Sequence, residues 1–456
     1  MAHIVILGNG IAGITAARNI RKHSEHSITV VSGESDHFFS RTAMMYVFMG
    51  HMRFEDTKPY EDWFWQKNSI DLVKGWVETV DVPGRTLRFV DGRSLPFDFL
   101  LLATGSVYQS ARWPGENLDG VQGFYTLQDL EALSYYTKGV QHAVVVGGGL
   151  IGVELVEMLL SRRIPVTFLV REKLFYDHVL PPEESAMVTQ HIAQHGVDLR
   201  METELKEIWG DKRSGRVKMA VTSSGEKIPC GFVGLTIGVR PNTDFLIFNQ
   251  IELDKGILVD RFLETNVPGI FAAGDCAQLR QPAPGRKPTE PLWYTARMMG
   301  EVAANNILHA AEVEGNRKRI AYDAGIWFNS AKFFDLEYQV YGDIPARGAE
   351  GVQSVHWQHP NKNLSIRINW DRSTGAVTGF NLMGIRYRQE VCEHWIRTAT
   401  PVKTVLQDLR LANFDPEFSR QYEPQVWQRF QEITGEAVRP GGRRRLAEVI
   451  RLLRPG

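Results

Sequence analysis

A glycine-rich segment near the start of the chain has the spacing of a phosphate-binding loop. Residues 8–13 read GNGIAG and lie between an apolar, β-branched run and a helical pattern. Gly8 would permit a tight turn, Gly10 would let a pyrophosphate approach the backbone, and Gly13 would let the helix pack on the strand. Free N–H groups in the first helical turn would bind phosphate. The segment therefore predicts a dinucleotide site.

An acid and an arginine follow at positions that suit the same site. Glu34 comes after a second apolar strand, about 20 residues beyond the loop, where an acid usually binds a ribose hydroxyl. Arg41 lies in an aromatic, methionine-rich segment. That segment is either a buried connecting helix or one wall of a flat cofactor site, with Arg41 near phosphate or adenine.

A second segment repeats the strand–glycine–helix arrangement. Residues 147–152 read GGGLIG, after the apolar run 143–146 and before another helical pattern. Two such units indicate two nucleotide sites, or one site and a decayed copy. After the next strand, Arg171 could pair with a 2′-phosphate and Glu172 could reach a ribose hydroxyl. The alternative is that these two residues form a solvated ion pair.

Two further apolar runs end in residues that suit a ligand. One ends at residues 103–105, Ala-Thr-Gly, and the other ends in the pair Gly274-Asp275. Small residues at a strand end let a ligand approach the backbone closely. Ligands bind at the carboxyl ends of strands in open α/β sheets, where Asp275 could hydrogen-bond a polyol.

Composition excludes several classes of protein. The chain has 456 residues, a net charge of -1 and 43% hydrophobic residues, which is ordinary for a soluble protein and unsuited to nucleic-acid binding. We expect no signal peptide, because the first strand starts at His3, and no run of about 20 apolar residues that could span a bilayer. The cysteines Cys230, Cys276 and Cys392 are too far apart for a zinc motif or a disulfide scaffold. These features predict a cytoplasmic protein without a metal site.

At this point the chain resembles the FAD-dependent pyridine nucleotide–disulfide oxidoreductase superfamily. The likeness covers roughly residues 1–400 and is carried by four motifs in the expected order, at residues 8–13, 101–105, 147–154 and 265–275. By this resemblance, Asp275 would contact the ribitol of FAD and Glu154 would lie near the junction of nicotinamide and flavin.

The resemblance also implies the members of both sites. The implied FAD site comprises Gly8, Asn9, Gly10, Ile11, Ala12, Gly13, Glu34, Arg41, Val77, Ala103, Thr104, Gly105, Gly274, Asp275 and Trp293. The implied NAD(P)H site comprises Gly147, Gly149, Leu150, Ile151, Gly152, Glu154, Arg171, Glu172 and Gly238. The helix after Trp293 would direct its N-terminus at the flavin. Glu154 is the candidate catalytic residue, and the resemblance assigns no catalytic side chain.

The chain departs from the superfamily in its cysteines. Disulfide reductases of this group carry a redox cysteine in the helix after the first unit, but residues 41–50 contain none, and Ala43 occupies the corresponding position. No His-Pro…Glu pair, which glutathione-reductase-like enzymes use as an acid–base dyad, lies near the C-terminal end of the third domain; Pro401 follows Thr400 instead. The likeness is therefore to members that lack the cysteine, such as ferredoxin reductases, rubredoxin reductases and the reductase parts of nitrite reductases.

We predict an α/β fold with two Rossmann-like dinucleotide-binding domains and a C-terminal α+β domain. The expected boundaries are 1–118 and 248–320 for a split FAD domain, 119–247 for the NAD(P)H domain, 321–425 for the α+β domain, and 426–456 for a basic tail. Hydride would pass from NAD(P)H to FAD, and electrons would pass to a small redox protein, an iron–sulfur protein or rubredoxin. The alternatives are NADH:quinone reduction at a membrane surface and a flavin-binding signalling protein like apoptosis-inducing factor. A homodimer is possible.

The last residues of the chain, 439–456, are strongly basic. They hold six arginines and one acid, and the apolar residues Leu446, Val449, Ile450 and Leu453 would share one face of a helix. Such a helix could pack on the protein itself, dock on an acidic partner, or make peripheral contact with an anionic membrane.

Overall fold

A computed structural model describes residues 1–312, 316–415, 417–418 and 420–439, so the helix predicted in the tail lies outside the described residues. The α-helices are α1 (Ile11–His23), α2 (Met44–Met49), α3 (Trp63–Lys67), α4 (Leu127–Tyr136), α5 (Leu150–Ser161), α6 (Pro182–Gln194), α7 (Trp293–Ala311), α8 (Gln389–Arg397), α9 (Val402–Gln407) and α10 (Glu423–Thr434). Short 3-10 turns span Arg41–Ala43, Phe54–Thr57, Asp244–Leu246 and Leu409–Ala412.

The strands are β1 (His3–Leu7), β2 (Ser27–Ser32), β3 (Ile70–Lys74), β4 (Val77–Asp81), β5 (Thr86–Phe89), β6 (Ser94–Pro96), β7 (Phe99–Leu102), β8 (Ser106–Tyr108), β9 (Val121–Gln122), β10 (Ala143–Val146), β11 (Val166–Leu169), β12 (Asp198–Arg200), β13 (Leu205–Gly210), β14 (Val217–Thr222), β15 (Lys227–Pro229), β16 (Phe232–Leu235), β17 (Val239–Pro241), β18 (Ile257–Val259), β19 (Ile270–Ala272), β20 (Ala277–Leu279), β21 (Phe328–Phe333), β22 (Leu336–Gly342), β23 (Val352–Gln358), β24 (Ser365–Asp371) and β25 (Val377–Met383).

The first nucleotide-binding unit is built on a parallel sheet of order β19-β7-β1-β2-β3. Its central strands are almost wholly apolar and buried, as parallel strands covered on both faces must be. Strand β19 joins this sheet from far along the chain and pairs with β7. Helices α1 and α7 pack closely at Gly300, which has no side chain. A Cβ atom there would lie only 2.4 Å from the carbonyl oxygen of Ala12.

The second unit repeats this architecture with the parallel order β12-β11-β10-β16-β9 and helix α5 after β10. A three-stranded antiparallel sheet, β13-β14-β15, packs beside it. The chain crosses between the two units at strands β8 and β17, which pair antiparallel. Beside that pair, the Thr104 hydroxyl donates a 2.7 Å hydrogen bond to the carbonyl oxygen of Asn242. This crossing holds the carboxyl ends of both sheets near each other.

The C-terminal region forms a five-stranded antiparallel sheet, β21-β22-β25-β24-β23, with helices α8, α9 and α10 packed on it. The predicted tail boundary at residue 426 falls inside α10, whose Val426 and Phe430 are buried in this core. Val426 and Phe430 are four residues apart, about one helical turn, so they lie on the same apolar face of α10. The prediction of two Rossmann-like units followed by an α+β region is confirmed, and the exact domain boundaries stay a prediction. Among the described residues, no helix is long and apolar enough to cross a membrane.

Candidate functional site

A cavity of about 890 Å³ opens where β1 and β7 end, at the carboxyl edge of the first sheet. That volume suits a large cofactor or ligand. The predicted FAD residues that line it are Gly8, Asn9, Gly10, Ile11, Ala12, Glu34, Arg41, Val77, Ala103, Thr104, Gly105, Gly274, Asp275 and Trp293. Gly13 does not line the cavity; it lies in the first turn of α1 and packs against the backbone of Gly8.

The glycines of the first loop divide into two kinds. A Cβ atom on Gly8 would lie 2.1 Å from the carbonyl oxygen of Ala103, and one on Gly13 would lie 2.0 Å from the carbonyl oxygen of Gly8. A Cβ atom on Gly10 would meet no heavy atom within 4 Å. Packing therefore requires Gly8 and Gly13, whereas Gly10 leaves its backbone open to the cavity. Such an opening at a helix N-terminus suits a phosphate group.

Glu34 and Arg41 bind each other. The Arg41 guanidinium donates to both carboxylate oxygens of Glu34 at 2.7 Å, and it also donates to the carbonyl oxygen of Tyr125 at 2.7 Å. Glu34 accepts the backbone N–H of Leu127 as well, at the start of α4. Burial acts to lower the pKa of Arg41, but the Glu34 carboxylate outweighs burial and raises that pKa. The sequence predicted separate contacts to the nucleotide, and the structure makes these residues one bidentate pair at the cavity wall.

Asp275 also lines the cavity and contacts two hydroxyl groups. Its Oδ2 atom accepts hydrogen bonds from the hydroxyl of Tyr125 at 2.9 Å and from that of Ser106 at 3.0 Å. Burial raises the pKa of Asp275, although both hydroxyls and Arg41 oppose this shift. Sequence reasoning missed both donors. Ser106 directly follows the Ala-Thr-Gly motif, whereas nothing in the sequence around Tyr125 points to Asp275.

Trp76 is a further cavity residue that sequence reasoning missed. A Cβ atom on Gly33 would lie 2.3 Å from the Trp76 ring, so the absence of a side chain at Gly33 lets the indole approach β2. Trp76 is exposed and lines the cavity beside Glu34 and Val77. Its ring offers a flat apolar surface where a purine could stack.

The second glycine loop reproduces the geometry of the first. A Cβ atom on Gly147 would lie 2.5 Å from the carbonyl oxygen of Thr236, and one on Gly152 would lie 2.3 Å from that of Gly147. A Cβ atom on Gly149 would meet only one heavy atom, at 4.0 Å. Helix α5 begins at Leu150, directly after this open glycine. The second unit thus presents the same phosphate-sized opening at a helix N-terminus.

Arg171 and Glu172 lie beside the second loop. The Arg171 Nε atom donates to a Glu172 carboxylate oxygen at 2.8 Å, but the side chain of Arg171 is 74% exposed and that of Glu172 is 18% exposed. The other Glu172 oxygen lies 3.4 Å from where a Cβ atom of Gly148 would be. Glu172 therefore covers the glycine loop while Arg171 points into solvent. Gly238, with a positive φ of 119°, is exposed after β16 and has open space beside it.

The two units converge at Glu154. Glu154 and Ile151, both on α5, line the cavity that the first loop forms. Burial is the main cause that raises the pKa of Glu154 to about 7, with Glu157 raising it further and Lys332 lowering it. The carboxyl group therefore titrates near neutral pH at the boundary between the two nucleotide-binding units.

The cysteines are free and buried, away from the cavity lining. The Cys276 thiol contacts the carbonyl oxygens of Leu102 and Ala273, and burial raises its pKa. Burial likewise raises the pKa of Cys230 to about 12 and lifts that of Cys392. Thiols held in this way are poor nucleophiles.

Residues 2–300 match the model of a protein family that is described as pyridine nucleotide-disulphide oxidoreductase. The chain belongs to this family. Membership confirms the predicted superfamily, the oxidoreductase class and the use of FAD and NAD(P)H.

Individual relatives agree with this family. The nitrite reductase [NAD(P)H] of Bacillus subtilis (strain 168) is 29% identical over 367 residues, which are 77% of this chain and 45% of the relative. The ferredoxin--NAD(+) reductase component of a biphenyl dioxygenase system in Paraburkholderia xenovorans (strain LB400) is 28% identical over 307 residues, 67% of this chain and 74% of the relative. The chain thus spans less than half the length of the nitrite reductase.

A solved structure shows the same fold. A NAD-dependent persulfide reductase from A. fulgidus superimposes with a TM-score of 0.81 at 23% identity, covering 95% of this chain and 83% of that one.

The first cavity fits FAD on features of this chain. Gly10 leaves room for a pyrophosphate, Asp275 presents a partly buried carboxylate that already orients two hydroxyl donors, and Trp76 offers a stacking surface beside Gly33. These groups match the phosphate, polyol and purine parts of the cofactor.

Proposed function

We propose that this chain uses bound FAD to oxidise NAD(P)H and passes the electrons to a small iron–sulfur protein. The convergence of two nucleotide-binding loops on one cavity carries the proposal, because Ile151 and Glu154 from the second unit line the cavity of the first. When bound there, FAD would accept a hydride and release its electrons one at a time.

The chain's own groups contribute charge and orientation. Helix α7 begins at Trp293, and its first turn lines the cavity, so its positive end favours negative charge there. Glu154 holds a proton on its carboxyl group for part of the time near neutral pH, because its pKa is about 7. A protonated Glu154 adds no negative charge at the junction of the two sites.

A direct transfer to a protein acceptor is favoured over thiol chemistry. The three cysteines are buried, and position 43 is an alanine. Trp293 lines the cavity while 45% of it is exposed, so this side chain reaches from the cavity to the surface. The ferredoxin reductase relative suggests the acceptor class. Arg18 and Lys22 also line the cavity, and their charges suit an acidic iron–sulfur protein.

Two separate rates test this proposal. Stopped-flow mixing with NADH and with NADPH would give the rate of flavin reduction, and steady-state assays would give turnover with a ferredoxin, a rubredoxin and a soluble quinone. We expect Trp293→Ala to lower turnover with the iron–sulfur protein while flavin reduction changes little. Trp209→Ala is the matched control, because Trp209 is a similarly exposed indole on β13.

The outcomes separate the candidate functions. Fast quinone reduction without turnover of any iron–sulfur protein would move the chain to the quinone-reductase alternative. Absence of turnover with every acceptor, in protein whose flavin is reduced by NAD(P)H, would favour the signalling alternative. Salt should slow ferredoxin reduction, because exposed charges steer the encounter. A homodimer and a cytoplasmic location stay predictions.

A further inference from the structure

We propose that His191, His195 and Asp335 form a site for one Zn²⁺ ion between the second nucleotide-binding unit and the C-terminal sheet. The two histidines lie one turn apart on and just after α6, and Asp335 lies in the turn between β21 and β22. One nitrogen from each ring and one carboxylate oxygen all lie within 4.8 Å of one another. Nitrogen and carboxylate ligands in this number are those of an open zinc site.

The carboxylate oxygen is shared by both rings. The Oδ1 atom of Asp335 lies 2.8 Å from the Nε2 atom of His191 and 3.3 Å from the Nε2 atom of His195. Donor atoms around a tetrahedral zinc ion are about 3 to 4 Å apart. The two oxygen-to-nitrogen distances are therefore close to those between ligands of one small cation, and all three atoms lie within 4.8 Å of one another.

The tautomer of His195 follows from its other nitrogen. The Nδ1 atom of His195 lies 2.9 Å from the carbonyl oxygen of His191, and a carbonyl oxygen can only accept a hydrogen bond. Nδ1 therefore carries the hydrogen, and the Nε2 atom of a neutral ring directs a lone pair toward Asp335. A lone pair facing a carboxylate is repulsive unless a proton or a metal ion lies between them. A backbone acceptor on the second nitrogen is also the usual way in which a zinc-bound histidine is oriented.

His191 provides the second, independent observation. The residue is 7% exposed, and its Nε2 atom is buried without a hydrogen-bond partner, although the Asp335 oxygen is only 2.8 Å away. The oxygen is close to the nitrogen but off the axis along which the ring could donate a hydrogen. A cation on that axis would contact both atoms. The side-chain amide nitrogen of Asn363 lies 2.9 Å from the Nδ1 atom of His191. Rotating this amide so that its oxygen faces the ring would place the hydrogen on Nδ1 and leave Nε2 as the ligand.

A proton alone accounts for this cluster less well than a metal ion does. A proton on the Nε2 atom of His195 would satisfy its pair with Asp335, but the Nε2 atom of His191 would still lack a well-aligned hydrogen bond. Two protonated rings would repel, because their centroids are 4.5 Å apart. A divalent cation is attracted to all three ligands at once. Asp335 has a side chain that is 80% exposed, which leaves a fourth position for water.

The backbone at the turn holds Asp335 in place. Phe334 has a φ of 58°, in the left-handed region that a bulky residue rarely adopts. Its ring stacks on His195 with the centroids 4.2 Å apart and the planes at 17°. This strained conformation fixes the next residue, Asp335, against the two histidines, and strain of this kind is common at functional sites. The bound ion would link α6 to the C-terminal sheet.

Zinc titration of the full-length, FAD-loaded protein without a histidine tag tests the proposal. Competition with a chromophoric chelator should reveal one site per chain. Asp335→Asn and His195→Ala should each weaken the affinity by about tenfold or more, and Asn363→Ala should weaken it about tenfold through ring orientation. His23→Ala is the control, because His23 is an exposed histidine in the last turn of α1.

A thermal readout keeps the test independent of activity. Zn²⁺ should raise the melting temperature of the wild type and of His23→Ala, but not that of Asp335→Asn, since a ligand that binds only the folded state stabilises it. Asp335→Asn alters an exposed side chain, and retained FAD absorbance would show that it is folded. Zinc affinity that is equal in wild type, Asp335→Asn and His195→Ala, or no zinc binding by the wild type, would overturn the proposal.

Discussion

The hydroxyl of Tyr125 donates a hydrogen bond of 2.9 Å to the Oδ2 atom of Asp275, 150 residues further along the chain. Tyr125 lies under the guanidinium of Arg41, whose carbon is 4.8 Å from the ring centroid, and Arg41 in turn pairs with Glu34. A continuous polar network therefore joins the acid after the second strand to the acid at the end of β19. All four side chains line the cavity, so one set of contacts holds this part of its wall.

Tyr125→Phe should weaken FAD binding by roughly tenfold, because a hydrogen bond to a charged group contributes about 1.5 kcal/mol or more. Loss of this donor leaves the Asp275 carboxylate less satisfied and less well oriented. Fluorescence titration of the apoprotein with FAD would measure the change. Tyr135→Phe serves as the control, since Tyr135 is exposed on α4. Equal affinities for both variants would mean that the Tyr125–Asp275 contact has no part in cofactor binding.

Asp275→Ala should lose much of the flavin during purification. A charge-assisted hydrogen bond to a polyol contributes roughly 1.5–3 kcal/mol, and Asp275→Asn should retain part of it. The ratio of absorbance at the flavin band to that of the protein gives the occupancy. Asp211→Ala removes an exposed carboxylate in the loop after β13 and should leave the flavin occupancy unchanged. An Asp275→Ala protein with full flavin would remove Asp275 from the predicted FAD site.

Local sequence patterns predicted the fold and the loops well. Each glycine loop sits between an apolar strand and an amphipathic helix, and the roles of Gly8, Gly10 and Gly13 depend only on contacts close in the unit. Such local requirements leave a mark on the sequence. The placement of Ala-Thr-Gly and Gly-Asp at strand ends followed for the same reason.

Contacts that depend on how the chain turns left no comparable signal. Glu34 and Arg41 are only seven residues apart, but their pairing depends on the path of the chain after β2, and the sequence predicts a separate contact of each with the nucleotide. The i, i+4 spacing of His191 and His195 is visible in the sequence, but their carboxylate partner comes from a hairpin in another domain. Periodicity reports one element at a time and does not report which elements meet.

Flavin reduction should not depend on any thiol. Replacing Cys230, Cys276 and Cys392 together by alanine should leave the rate of reduction by NADH within a few-fold of the wild type. The reason is that all three thiols are buried and none lines the cavity. Stopped-flow absorbance would measure the rate, and melting temperature and flavin content would verify folding. Collapse of the rate in folded, FAD-loaded protein would contradict a mechanism without cysteine.

The coenzyme preference should divide between Arg171 and Glu172. Arg171→Ala should weaken the binding of NADPH more than that of NADH, if the exposed guanidinium turns to a 2′-phosphate. Glu172→Ala should weaken the binding of NADH more than that of NADPH, because this carboxylate covers the glycine loop where a ribose hydroxyl would lie. Apparent Michaelis constants for both coenzymes, measured from flavin reduction, would show the two shifts. Equal effects of Arg171→Ala on both coenzymes would leave Arg171 as a solvated residue.

Glu154 should make the stability of the protein depend on pH near neutrality. Its pKa is about 7 in the folded chain, against a usual 4.5, chiefly because burial favours the neutral acid. The folded state therefore holds a proton that the unfolded state has lost, so this contribution to stability is full below about pH 4.5 and is lost as the pH rises through 7. Between about pH 5 and 8, the wild type should lose roughly 2 kcal/mol relative to Glu154→Gln.

Urea unfolding at a fixed excess of FAD would measure that difference, once the contribution of cofactor binding is subtracted with the FAD dissociation constant of each variant at each pH. Glu157→Gln provides a matched variant on the same helix. Glu157 raises the pKa of Glu154, whereas Lys332, which is 3.2 Å from Glu157, lowers it. Removing the Glu157 charge should therefore shift the loss of stability to lower pH, because the Glu154 carboxylate then forms more easily. Parallel pH profiles for wild type and Glu154→Gln would show that Glu154 ionises in the ordinary acidic range and that its burial does not hold a proton at the boundary of the two sites.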